Sequence, residues 1–147
     1  MSVLKSKRGE SAMQFIETAR ELEIYTIKQC ARFPKRFMFL ITKDIVALAK
    51  AVYNNVKAAN SVYPTNAAEV QLRKNYLITA NCELQCLISQ LDIAREFVRN
   101  TDDNKPINSK VWQTWLDLIT SEAKLLSALK NKDKELSLIH ISEPTRH

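Results

Sequence analysis

The sequence predicts an all-α protein, an antiparallel four-helix bundle that folds as one domain. Apolar residues recur at three- and four-residue steps along most of the chain, and no alternating stretch suits a strand. Turn-forming residues gather around Phe33-Pro34, Asn60 to Asn66 and Asn100 to Asn108, cutting the chain into four amphipathic segments. With 147 residues, 46% of them hydrophobic and 26% charged, the chain has apolar surface enough for a core and too much for a disordered segment.

The first helix is expected over Ser11 to Phe33, where Phe15, Ile16, Ala19, Leu22, Ile27, Cys30 and Phe33 fall on one side. Pro34 suits the first turn of a second helix, expected over 34–60 with Phe37, Ile41, Ile45, Leu48, Val52, Val56 and Ala59 inward. Thr65 or Asn66 can cap the third helix, expected over 66–100. Its stripe of Leu77, Ala80, Leu84, Leu87, Leu91, Ala94 and Val98 keeps the three-four step without a lapse, the pattern of a bundle seam. Ser109 can cap a fourth helix, expected over 109–131 and carrying Val111, Trp115, Leu118, Ile119, Leu125, Leu126 and Leu129. Trp112 and Trp115 are expected in the core or over a loop, with a partner clamp as the other role open to them. The last residues, Leu136-Ser-Leu-Ile-His-Ile-Ser-Glu-Pro-Thr-Arg146, resemble a sequencing adapter translated in frame, so the bundle is expected over 1–135 and 136–147 is left outside it.

Composition excludes several kinds of chemistry. Gly9 is the only glycine, so neither a Walker phosphate loop nor a dinucleotide fingerprint can be built. Both histidines, His140 and His147, lie in the adapter-like tail, which leaves 1–135 without one. Carboxylates such as Glu17, Glu21, Glu83 and Glu96 are scattered among basic neighbours, and no serine or cysteine is paired with a base. Cys82 and Cys86, one turn apart, lack further ligands for a tetrahedral metal site, so packing is the expected role, and no cofactor or metal is expected. Cysteines at 30, 82 and 86, no hydrophobic leader and apolar runs too short for a bilayer suggest a cytoplasmic protein.

The net charge of +6 is unevenly spread. From Pro34 to Asn66, Lys35, Arg36, Lys43, Lys50 and Lys57 face Asp44 alone, whereas acidic and basic residues balance from Ala67 to Thr101. Arg36, Lys43, Lys50 and Lys57 recur every seventh residue, which on a regular helix makes a basic ridge opposite the apolar stripe. Phe39, Val46 and Tyr53 lie beside it, a mixture suited to phosphates and bases or to a protein partner, although a solvated lysine face has the same pattern. Lys5, Lys7 and Arg8 extend the positive charge in an expected N-terminal arm. The third helix has a second apolar line, Cys82, Cys86, Ile93 and Phe97, expected at an interface between copies of the chain. A broad internal core around that helix is the alternative.

Phe33-Pro-Lys-Arg36, the helix end Val52-Tyr-Asn-Asn-Val-Lys-Ala-Ala-Asn-Ser-Val-Tyr-Pro64, and Arg73 with the Ala80 to Leu91 seam carry a family likeness. Together they resemble the accessory variability determinant proteins of diversity-generating retroelements, within a wider four-helix-bundle family related to ribosomal RNA intervening-sequence proteins. The resemblance spans Lys5 to Lys134. It implies a ring-like homo-oligomer, a pentamer, that performs no chemistry itself. Its implied partners are the element's reverse transcriptase and RNA or DNA, in support of adenine-targeted mutagenic copying of a template repeat. Carried onto this chain, the binding positions are Lys35, Arg36, Lys43, Lys50 and Lys57, with Arg73 and Lys74 as further candidates. The residues by themselves leave room for a helical-bundle interaction or RNA-binding protein with no reverse-transcriptase partner.

Overall fold

The computed structural model describes the backbone of residues 2–99 and 107–142 and the side chains of 13–98 and 107–132. It is all-helical, with no strand among the described residues. The elements are α1 (Ser2–Cys30), a 3₁₀ turn (Lys35–Phe37), a π turn (Met38–Thr42), α2 (Lys43–Asn60), α3 (Ala67–Arg99) and α4 (Ser109–Ser142). Helix α1 packs on α2 and α4, and α3 packs on the same two, so the four helices surround a shared core.

The seams expected from periodicity form that core, with two substitutions of polar for apolar. All seven seam residues of α3, from Leu77 to Val98, are buried. In α1 the inward line runs Phe15, Ala19, Leu22, Thr26, Cys30, and Ile27, expected inside, is 41% exposed. The three-four step decides the outcome: position 26 continues it and position 27 does not. The Thr26 hydroxyl accepts a hydrogen bond from Trp115 Nε1 at 2.9 Å, which satisfies both buried groups. In α4 the inward line is Trp112, Trp115, Ile119, Glu122 and Leu126, with a carboxylate on a core position.

Aromatic side chains join the end of α1 to the start of α4. Trp112 and Trp115 stack at 5.4 Å, Phe33 lies within about 6 Å of both, and Tyr25 meets Trp115 edge-on at 5.8 Å. The Tyr25 hydroxyl donates to the Val111 carbonyl at 2.8 Å. Both tryptophans are buried in the core, the first of the roles expected of them. Cys30 belongs to the same core, and burial pushes its thiol up to about 12, keeping it protonated and unreactive.

Helix boundaries follow local chemistry. Asn66 caps α3 as expected: its Oδ1 accepts from the Glu69 backbone N–H at 2.9 Å, while Glu69 reaches one residue before the cap and accepts from Thr65 Oγ1 and the Thr65 N–H. Those bonds, the Thr65 hydroxyl first, hold the Glu69 carboxyl below its ordinary range. The cap of α4 is Asn108 and not Ser109, since Asn108 Oδ1 accepts from the Lys110 N–H at 3.1 Å and its carbonyl from Val111. Helix α1 begins at Ser2, before the expected Ser11, so the stretch expected as an arm has helical backbone; most of its residues favour helix, and Gly9 alone costs about 1 kcal/mol. The side chains of Lys5, Lys7 and Arg8, and most of the expected loop at 100–108, lie outside the described residues. Helix α4 continues past the expected 131 to Ser142, with neither glycine nor proline to break it before Pro144.

The largest departure is in the second segment. A single helix over 34–60 was the expectation, yet Pro34 stands outside the helix at φ −56°, ψ 139°, and its carbonyl accepts from Phe37 N–H at 3.0 Å to open the 3₁₀ turn. Five residues of π turn follow, closed by Lys43 N–H on the Met38 carbonyl, before regular α2 begins. Ile41 and Ile45 are both buried, as their four-residue step predicts, despite these turns.

Candidate nucleic-acid interface

The basic residues of the second segment come from three kinds of helix. Lys43, Lys50 and Lys57 lie on α2 at seven-residue spacing, all exposed, and opposite the buried Ile45, Ala49, Val52, Val56 and Ala59. At 1.5 Å per residue they stand about 10 Å apart along one side. Lys35 and Arg36 are exposed too, but they sit in the 3₁₀ turn, so the heptad phase does not carry back from Lys43 to Arg36. The Arg36 guanidinium lies over the Phe37 ring, 4.9 Å from its centroid, which fixes where its charge points.

Among the described residues, Lys35, Lys43, Lys50 and Lys57 have no carboxylate within ion-pair distance; the pair that forms, Arg20 with Glu17 at 3.2 Å, is on α1. Unpaired lysines at regular spacing make this side of α2 positive. Arg73 differs. It is half-buried, and its Nη1 donates to the Ala59 carbonyl at 3.0 Å, so its guanidinium ties the start of α3 to the end of α2. Lys74 beside it is exposed.

Apolar groups near the lysines are placed unequally. Val46 and Tyr53 are half-buried against the core, whereas Phe39 is 82% exposed. Met38 and Leu40 on either side are exposed as well. Seven-residue counting places Phe39 beside the ridge, and it is exposed there.

The second apolar line of α3 is on the surface. Cys82 and Cys86 are exposed, Ile93 and Phe97 are about half-exposed, and their spacing keeps the four on one side of the helix. The broad-core alternative therefore does not hold for Cys82, Cys86 and Ile93. Phe97 is shared: its ring meets Phe37 edge-on at 6.1 Å inside the same protomer. Elsewhere, Ile88, Leu91, Asp92, Arg95, Trp112 and Leu116 line a shallow cleft of about 330 Å³ between α3 and α4, with Arg95 6.0 Å from the Trp112 centroid. Among the described residues no three His, Cys, Asp or Glu side chains lie together in a metal-holding arrangement, and no helix is long and apolar enough to cross a membrane.

Comparison of the chain with protein-family models, with curated proteins and with solved structures finds no match in any of the three.

Proposed function

We propose that this chain is a non-catalytic accessory factor of a diversity-generating retroelement, a cytoplasmic protein that binds reverse transcriptase and template RNA or DNA to support mutagenic retrohoming. In this reading the antiparallel four-helix bundle assembles into a ring-like homo-oligomer, a pentamer, through Cys82, Cys86, Ile93 and Phe97. The observation that carries it is the line of Lys43, Lys50 and Lys57, exposed and without a carboxylate partner. Phosphates supply the missing anions, and their neutralisation releases counterions, so affinity is salt-dependent and largely blind to sequence.

The test is binding of short RNA and DNA strands across a salt series by the purified protein and by a Lys43→Glu/Lys50→Glu/Lys57→Glu variant. Wild-type affinity should fall steeply with salt, and the variant should lose binding while its far-ultraviolet circular dichroism stays helical, since all three side chains face solvent. Binding retained by the folded variant overturns the ridge as the nucleic-acid site. Co-purification with a reverse transcriptase encoded beside it tests the partner separately.

A further inference from the structure

The exposed ring of Phe39 has no role in the fold, and its surroundings indicate one outside it. The π turn has a structural cost: it brings Thr42 into the core, 7% exposed, with no hydrogen-bond partner for its hydroxyl. At the same turn three large apolar side chains, Met38, Phe39 and Leu40, are exposed. Irregular wide turns inside helices often occur where function requires a side chain to be re-aimed.

The position of Phe39 narrows the choice of ligand. Lys43 N–H bonds to the Met38 carbonyl, so one wide turn of backbone separates Phe39 from Lys43, the first lysine of the line. Leu40, the next residue, is rotated by roughly a quarter turn, so it does not extend the ring into one flat apolar patch. Phe39 is the most exposed of the three and the only aromatic among them, and the exposed Lys35, Arg36 and Lys43 lie within four residues of it, while Val46 and Tyr53 are half-buried against the core. Arg36, held on Phe37, and Lys35 add charge in the preceding 3₁₀ turn. An aromatic face near a row of cations is how single strands are held: cations track the backbone and rings stack on bases.

We infer that Phe39 is a base-stacking platform, and that the lysine line binds unpaired nucleic acid in preference to duplex. This rests on the ridge being a nucleic-acid site at all. In a duplex the bases are stacked on one another and cannot reach the ring, while a single strand can lay one base on it as its phosphates follow Lys43, Lys50 and Lys57.

Fluorescence anisotropy tests the inference with four ligands: a labelled 15-nucleotide single strand, its duplex, an abasic strand of the same phosphate count, and vesicles of anionic phospholipid. The wild type should prefer the normal strand to both duplex and abasic strand, and Phe39→Ala should weaken it by about tenfold without altering the salt slope. Phe39→Trp should keep the preference, and Phe39→Ala should fold normally because the ring is outside the core. Equal affinity for normal and abasic strands, or a Phe39→Ala variant that binds like wild type, overturns base stacking while leaving the ridge intact. No binding to any nucleic acid overturns the ridge itself, and Phe39-dependent binding to the vesicles alone assigns the ring to a lipid surface.

Discussion

Glu122 occupies a core position of α4, fully buried, and neither of its carboxylate oxygens has a hydrogen-bond partner in the described structure. Burial pushes its carboxyl up to about 8, so the folded protein holds it protonated at neutral pH while the unfolded chain ionises it near 4.5. The folded-state value is raised, so between these two values the native state binds the extra proton and stability falls as pH rises. The penalty is absent below about pH 4.5 and complete above about pH 8, where it is on the order of several kcal/mol. Glu122→Leu should therefore raise the urea midpoint at pH 8 and flatten its dependence between pH 5 and 8. Denaturation across that range reads the effect directly, and equal slopes for variant and wild type would show that Glu122 finds a partner in solution. Periodicity could not reveal this residue, because counting apolar positions passes over a glutamate in a seam. Thr26 was missed for the same reason, although the steps on either side of it, Leu22 and Cys30, pointed to its position.

At the scale of elements, the sequence was most legible where helices are regular. The α3 seam was readable residue by residue, and so was the exposure of Lys43, Lys50 and Lys57, because both rest on a turn of about 3.6 residues. The 3₁₀ and π turns break that assumption, so the heptad phase of Arg36 no longer follows from counting back along α2, although Arg36 and Phe39 are both exposed. Arg73 raises the opposite problem: the family resemblance made it a further binding candidate, but its bond to Ala59 gives it a task inside the fold. Arg73→Ala should destabilise the protein by about 1–3 kcal/mol through loss of that charged hydrogen bond and leave single-strand affinity unchanged. Chemical denaturation and a binding titration on the same sample separate the two roles. A loss of affinity like that of a single ridge lysine, with stability intact, would return Arg73 to the nucleic-acid site.

For the whole molecule, the exposed line of Cys82, Cys86, Ile93 and Phe97 is the feature that a single copy does not use. Phe97 already touches Phe37, so it cannot be altered without disturbing the protomer. Cys86 and Ile93 can be, since both face solvent. If copies meet through this line, Cys86→Glu/Ile93→Glu places two carboxylates where apolar surface must be buried, a desolvation cost that opposes assembly and leaves each bundle intact. Light scattering after gel filtration should then show wild type at a multiple of 16.9 kDa and the variant at that mass, with equal helicity. Assembly also multiplies the lysine ridges presented to one strand. Long strands that reach two ridges should lose more affinity in the dissociated variant than short ones that reach only one, because the second contact is made at high effective concentration. A variant that keeps its mass would move the interface elsewhere on the surface, and a monomeric wild type would leave each ridge to act alone.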